Sequence, residues 1–489
     1  MLRVLTLPES MFKIAPGPSR LLHGSTQTKS LEANSRNLLP AHTLMQRAGL
    51  ATARLTLALA PHAQTIWIAC GPGNNGGDGL EAACHLHQWG KTVHLSWLGS
   101  PGSAPEDALA AYQRVTSAGL SIHRNTPPEC DFCVDALLGI GASRPAEGML
   151  LEWIHQINAL EVPVLSVDLP SGLDGDTGFA HGVHVRATHT LSLLTLKPGL
   201  FTSLGRDASG QVWFDTLEIP ATTVPAAAQL NGKPAPMKRP HASHKGSYGD
   251  LAVIGGAPGM TGAAILAANA ALHHGAGRVF VCLLADDAPL CLAAYPELML
   301  RPAKTFDASA MTLVCGCGGA DAICDYLPRV LSNAPRLVMD ADALNAIARD
   351  TQLQHLLRAR SSRKRQTVLT PHPLEAARLC KTTVAEVQSN RLGAADELAA
   401  AFGCTVVLKG SGTVIAAPGQ TSMINPNGNA RLATAGTGDV LAGMIGARLA
   451  QGEEAFKAAC SAVWLHGQAA DSWPEGLALS AGALARRQS

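Results

Sequence analysis

The chain lacks the charge and the aromatic surface that would draw it to a polyanion. Lys and Arg total 38 against 37 Asp and Glu over 489 residues, so no excess positive field attracts phosphate backbones or anionic lipid head groups. Aromatic residues make up 4% of the chain, too few to supply stacking platforms for single-stranded bases. Neither nucleic acid nor a membrane is therefore an expected partner. No stretch offers about 18 consecutive apolar residues. Pro8, Glu9, Lys13 and Pro16 interrupt the N-terminal run that a signal-peptide core would need. A soluble, cytoplasmic protein is the expectation. Its 12 cysteines lie mostly in strand-like apolar runs, as Cys70, Cys315 and Cys404 do, and read as small buried hydrophobes rather than a disulfide framework. The one Cys-x-x-Cys, Cys130 to Cys133, lacks the second half that a four-ligand metal site needs.

Glycine is what the chain has in excess. The 48 glycines gather in short runs, which suggests binding loops built from backbone. The length favours two globular domains. Five prolines, an Ala run and Asn231-Gly232 between Pro220 and Pro240 break the surrounding pattern. This places a domain over 1–220, a linker over 221–240 and a second domain over 241–489. Upstream, apolar or β-branched runs at Thr65–Cys70, Thr92–Trp97, Asp131–Ala136, Val162–Val167 and Thr190–Leu194 alternate with helix-compatible stretches such as Leu80–Trp89. Downstream, Leu251–Ile254, Arg278–Cys282, Thr312–Cys315, Leu337–Met339, Val368–Leu369 and Thr405–Leu408 repeat the rhythm, with Ala-rich helices between. The expected fold class is α/β in both halves, each a parallel sheet covered by helices on both faces.

In the first half, Thr65–Cys70 runs into Gly71-Pro72-Gly73-Asn74-Asn75-Gly76-Gly77-Asp78-Gly79. A strand, a loop rich in N–H groups and a helix start together form an anion site. Gly71, Gly73 and Gly76 fit G-x-G-x-x-G, but Leu98-Gly99-Ser100 follows the next strand where a dehydrogenase would carry an acidic residue for the ribose. Hydride transfer is thus disfavoured, and the two amides and carboxylate suit orienting a ligand or ion. Asp135 and Asp168 also end strands, where an open parallel sheet presents its ligands, with a helix cap or turn as the competing role.

In the second half, Asn425-Pro426-Asn427-Gly428-Asn429-Ala430-Arg431-Leu432-Ala433-Thr434-Ala435-Gly436-Thr437-Gly438-Asp439 precedes the helix-compatible Val440–Ala450. Gly436 to Gly438 would aim backbone N–H groups at developing phosphoryl charge, with Asp439 beside the reacting hydroxyl. Ordinary capping by Thr437 or Asp439 is the competing role. Lys409-Gly410-Ser411-Gly412-Thr413 could wrap a nucleotide phosphate or be a plain turn, and Thr370-Pro371-His372-Pro373 holds His372 in an extended segment at a strand end.

The set GPGNNGGDG, VDALLGIGASRP and VDLPSGLDGDTG, with Leu44 to Gly49 in the preceding helix, resembles the epimerase domain of the bifunctional NAD(P)H-hydrate repair enzymes. HKGSYG, GGAPGMTGAA, HHGAGRV, TPHP, KGSGT and NPNGNARLATAGTGD resemble the nucleotide-dependent dehydratase domain of the same family. The resemblance implies a Rossmann-like first domain and a ribokinase-like second one. It implies that Asn74, Asn75, Gly76, Gly77 and Asp78, the loop Gly139, Ile140, Gly141, Ala142, Ser143, Arg144 and Pro145, and Asp168 contact the hydrate, with Asp168 as acid/base. Asn75, Asp135 and Ser171 would coordinate potassium. In the second domain Ala263, Gly318, His372 and Asp439 would contact the hydrate, and Lys409, Gly410, Ser411, Gly412, Thr413 and Gly438 the nucleotide, either ADP or ATP, with Mg²⁺. Asp439 would be the catalytic base.

Three departures stand out: Gln46 where the family usually has Glu, Cys315-Gly316-Cys317-Gly318-Gly319 where it commonly has a Gly-Pro-Gly run, and Leu374 where Gly usually follows His-Pro. Small molecules are the implied partners, and a homo-oligomer is compatible with this reading. The alternative is a ribokinase-like small-alcohol kinase fused to a non-catalytic ligand-binding module.

Overall fold

A computed structural model describes residues 10–141, 144–220, 224–286, 291–307 and 309–487. The chain divides into two compact units, one of residues 1–15 and 21–228, the other of residues 16–20 and 229–489. The division falls inside the Pro220–Pro240 stretch. That stretch is not bare connector, because Ala228–Leu230 forms a strand paired in parallel with Met423–Ile424. Pro16–Arg20 joins the second unit, where Ser19 Oγ donates to the Leu230 carbonyl at 2.8 Å.

The first unit's sheet runs in the order Met11–Lys13, Gln211–Asp215, His189–Leu193, Val164–Val167, Phe132–Ala136, Thr65–Cys70, Thr92–Trp97, Ile122–His123. All neighbours are parallel except the first pair, an antiparallel edge the periodicity did not signal. Thr65–Cys70 leads out to Thr92–Trp97 on one side and neighbours Phe132–Ala136 on the other, so strand order reverses at its C-terminal end. A ligand crevice belongs at such a reversal.

The second sheet runs Met299–Leu300, Arg278–Leu283, Asp250–Gly255, Thr312–Cys315, Arg336–Met339, Gln366–Leu369, Thr405–Leu408, Val414–Ala416, Met423–Ile424, Ala228–Leu230. It is parallel through Thr405–Leu408, then antiparallel on both sides of Val414–Ala416. Order reverses again, here between Asp250–Gly255 and Thr312–Cys315. The strands are continuous apolar runs because helices bury both faces. Helix Thr437–Ala450 lies directly on helix Thr261–His273: a Cβ at Gly443 would stand 2.0 Å from the Ala267 carbonyl oxygen. That close approach fixes the helix whose first turn carries Asp439. Cys70, Cys315 and Cys404 are buried in these cores, and all described cysteines are free thiols.

Candidate active sites

The first unit's glycine motif is only partly a loop. Helix Asn74–Gln88 begins inside it, six residues before the expected Leu80, with Gly73 as an N-cap that makes no side-chain bond. Its first N–H groups therefore stay available to a ligand. Gly71 is required by packing, since a Cβ there would lie 1.8 Å from the Leu137 carbonyl oxygen. Gly76 and Gly77 are buried against Gly71 and Met45, so they allow close packing rather than line the site.

A cleft of about 420 Å³ opens at the strand-order reversal. Of the residues read from sequence, Asn74, Asn75, Asp78, Gly139, Ile140, Gly141 and Asp168 line it. Arg144 and Pro145 are exposed and do not line the cleft, while Ala142 and Ser143 lie outside the described residues. Leu137, Leu138, Leu193 and Leu217 supply an apolar wall, and Glu32, Arg36, Lys29 and Asp107 add charge from elements carrying no recognised motif.

Asp168 has left-handed backbone (φ 67°), and its Oδ1 accepts from the Leu193 N–H at 3.3 Å and from the Lys197 ammonium. Lys197 is fully buried and also donates to the Leu193 carbonyl at 2.7 Å. Burial, then the Asp168, Glu32 and Asp107 charges, push the Asp78 carboxyl well above the usual range. Burial and then Asp168 raise Glu32 as well.

Behind this wall Asp135 is fully buried, placed by register beside Ala69 and Ser166. It accepts from Ser166 Oγ at 2.7 Å, Ser171 N–H at 2.9 Å and Ser171 Oγ at 2.5 Å, and among the described residues it has no cationic partner. Asn75 Nδ2 is buried without a hydrogen-bond partner; turned over, the amide would offer an oxygen instead.

In the second unit, helix Thr437–Ala450 starts three residues before the expected Val440, capped by Gly436 in left-handed conformation (φ 89°). Thr437 Oγ1 donates back to the carbonyls of Leu432 at 2.7 Å and Thr434 at 2.9 Å, closing the turn beneath the helix. Buried His466 donates from Nε2 to the Thr437 carbonyl at 3.0 Å, and burial lowers its pKa to about 4.

The asparagines of the Asn425–Asn429 run are structural. Asn425 Nδ2 donates to Asn427 Oδ1 at 2.6 Å, Asn427 Nδ2 to the Trp464 carbonyl at 2.9 Å, and Asn429 Nδ2 to Asp471 Oδ1 at 2.9 Å. Asn231, from the Pro-rich stretch, donates to Asn425 Oδ1 at 3.0 Å. These bonds tie the corner to helix Ala455–Asp471.

Asp439 is flanked by Asp340, Asp342, Lys409 and Cys317. Burial, then Asp340, push its pKa up to about 6, against the Cys317 hydrogen bond and Lys409. Buried Asp340 is taken by Lys409 Nζ at 2.7 Å and by Thr370 Oγ1 at 2.8 Å. Burial lowers the Lys409 pKa, but Asp340 and Glu375 outweigh it and the group ends up raised. The Cys317 sulfur and the Asp340 and Asp439 oxygens lie within 4.8 Å of one another. Within this trio Lys409 neutralises Asp340. Gly438 faces Lys409, a Cβ there standing 3.4 Å from Nζ, and Gly318 meets Ala263 across the order reversal, a Cβ standing 2.9 Å from that of Ala263.

His372 has the expected extended backbone (φ −80°, ψ 169°). It caps helix Pro373–Cys380: its Nδ1 accepts from the Leu374 and Glu375 N–H groups at 3.1 and 3.3 Å, and Nε2 lies 3.1 Å from Glu375 Oε1. Both ring nitrogens are engaged, and burial raises Glu375 to about 7. The Gly410 to Thr413 loop is held from behind by Arg391, which donates to the carbonyls of Leu408 and Lys409, each at 3.1 Å.

Sequence reading missed Lys197, Asp340, Arg391 and the role of Cys317. Asp340 carried the signal used for Asp135 and Asp168, an aspartate at a strand end; Arg391, inside a helix, carried none.

The fold and the two sites define an α/β protein of two units, each gathering carboxylates at the point where its strand order reverses. Comparison with known proteins makes this specific. Residues 41–199 match the family model for the YjeF-related protein N-terminus, and residues 251–486 that for NAD(P)H-hydrate dehydratase. The bifunctional NAD(P)H-hydrate repair enzyme of Escherichia coli K12 is 37% identical over 452 residues, covering 88% of this chain and 85% of that protein. The ADP-dependent (S)-NAD(P)H-hydrate dehydratase of Neisseria meningitidis is 46% identical over 250 residues, covering 50% and 83%. A solved ADP/ATP-dependent NAD(P)H-hydrate dehydratase from Bacillus subtilis, co-crystallised with ATP/Mg²⁺, is 32% identical with a TM-score of 0.44, covering 51% of this chain and 90% of that one. This chain belongs to the bifunctional NAD(P)H-hydrate repair enzymes.

Proposed function

We propose that the first unit interconverts the C6 epimers of hydrated NADH and NADPH, and that the second dehydrates the S-epimer at the expense of ADP. ADP is preferred over ATP because the Neisseria relative is named ADP-dependent. The observation that carries the reading is Asp439, a half-buried carboxylate at a glycine-flanked helix start with a pKa near that of a working base.

In the hydrate, C6 bears a hydroxyl and is bonded to the ring nitrogen, whose lone pair can expel hydroxide or open the ring. Either route erases the C6 stereocentre. Asp168, oriented by Lys197, moves the proton as the hydroxyl leaves and returns. The apolar leucine wall keeps bulk water away. Asp135, Ser171 and Asn75 would hold a potassium ion: a buried carboxylate without a cation accepts from the Ser171 hydroxyl, and the buried Asn75 amide nitrogen has no partner. Bound there, potassium would neutralise Asp135 and tie the strand-end loops together.

In the second unit Asp439 takes the proton from the C6 hydroxyl as phosphoryl arrives from the nucleotide, which the Lys409 to Thr413 loop and Gly438 would hold. Mg²⁺ carried on the nucleotide would spread the phosphate charge. Hydroxide is a poor leaving group and phosphate a good one, so elimination assisted by the ring nitrogen restores the dihydropyridine. Arg391 keeps the nucleotide loop in shape.

The test is recovery of reduced-nicotinamide absorbance from mixed-epimer hydrate given protein, Mg²⁺, K⁺ and ADP, with ATP in parallel. Full recovery supports both activities and names the donor. Recovery stopping at the S-fraction removes the epimerase reading, and a stable phosphorylated product with no recovery returns the kinase alternative.

A further inference from the structure

We infer that Cys317 is a positioning residue for Asp439: its thiol donates the hydrogen bond that holds the carboxylate in the orientation from which it takes the substrate proton. This rests on the proposed role of Asp439 as base.

The backbone leaves the thiol little choice of direction. Gly316 and Gly318 flank it at φ 113° and 60°, and a Cβ at Gly316 would stand 2.1 Å from the Asp340 carbonyl oxygen. The Cys317 carbonyl accepts from the Gly256 N–H at 3.0 Å, anchoring the turn on the neighbouring strand end. Cys317 is fully buried, its sulfur within 4.8 Å of both carboxylates. Lys409 and Thr370 already occupy Asp340 Oδ1, which leaves Asp439 as the carboxylate open to the thiol. Burial, then Asp439 and Asp340, push the thiol pKa well above its ordinary value, so the sulfur carries its proton and is the donor. One Asp439 oxygen is thus steadied and the other is left to the substrate. The charged groups facing Asp439 are Asp340, Asp342 and Lys409, and none changes when Cys317 is replaced.

The experiment uses the full chain with S-epimer hydrate, ADP and Mg²⁺, comparing wild type, Cys317→Ala, Cys317→Ser and Asp439→Asn. Cys317→Ala is expected to lower kcat about 3- to 10-fold with the nucleotide KM unchanged, as loss of one such bond would. Removing a donor to the charged form also moves the acid limb of the kcat–pH profile upward, and Cys317→Ser restores both. Wild-type kcat and acid limb in Cys317→Ala would overturn the inference, as would equal loss in Ala and Ser variants with no movement of the limb. Infrared spectroscopy gives a readout that does not need the Ala variant to fold. The S–H stretch, isolated as the difference between wild type and Cys317→Ser, must shift when Asp439→Asn is introduced, and an unmoved band sinks the proposal. Retained dehydration in Asp439→Asn overturns the base role itself; a dead Asp439→Asn beside a normal Cys317→Ala overturns only the positioning role.

Discussion

Each unit sets a lysine–aspartate pair at the ends of parallel strands, but the two units give the lysine to different carboxylates. In the first, fully buried Lys197 holds Asp168, which faces the cleft, while Asp135 behind it is left to hydroxyls and amides. In the second, Lys409 holds Asp340, and Asp439 at the helix start is without a cationic partner among the described residues. A partly buried carboxylate left unneutralised binds a proton more readily and makes the stronger base. That suits removal of a proton from an alcohol as phosphoryl arrives. An aspartate already holding an ammonium suits a reversible step in which the ring nitrogen drives hydroxide out and the site has only to guide a proton and an oxygen.

The comparison breaks most sharply at the two aspartates. Asp439→Asn should lower dehydration by roughly 10³- to 10⁴-fold while epimerisation, followed by chromatography of the epimers, stays at the wild-type rate. Asp168→Asn should lower epimerisation by about 10²- to 10³-fold and leave dehydration of pure S-epimer untouched. The smaller loss reflects the hydrate's own spontaneous epimerisation. Equal loss of both activities in either variant would mean that the centres are not independent.

Lys197→Met removes the cation from a pair with little solvent access, leaving a carboxylate uncompensated, and should destabilise the first unit by roughly 3–5 kcal/mol in denaturant titration. A milder prediction concerns protonation. With Asp439 near 6, dehydration kcat should fall about tenfold per pH unit below that value, whereas a limb at an ordinary carboxylate pKa would show that the site does not raise it.

The smallest effect is on stability. Half-buried His274 and buried His466 have pKa values lowered to about 4, first by desolvation. Between the unfolded value near 6.5 and about 4 the unfolded chain binds more protons than the native one. Stability is therefore lost as pH falls through that window, by up to about 1.4 kcal/mol per pH unit for each histidine. His466→Gln should remove about half of that slope, and an unchanged slope would show that His466 does not contribute.

Much of this was legible in the chain. Thr65–Cys70, Thr92–Trp97, Thr312–Cys315 and Thr405–Leu408 are strands at the expected bounds, because continuous apolar runs between turn residues are local signals. The glycines of the first loop and of Gly436–Asp439 marked both sites for the same reason. Element starts were less legible: Asn74 begins a helix within what read as loop, because a helix needs no side-chain cap where backbone N–H groups face a cleft. The motif residues also divided in ways the sequence does not state. The asparagines near Asn427 brace a corner, and His372 spends both ring nitrogens on a helix cap.

By itself, then, the sequence determined two α/β units, the glycine-built corners and the aspartates at strand ends, all written in short contiguous stretches. Only the tertiary structure decided which aspartate receives a lysine, where the Cys317 thiol points and which carboxylates stay unneutralised. Lys409 and Asp340 are 69 residues apart and Lys197 and Asp168 are 29 apart, so strand order and register brought them together, and no local pattern encodes either.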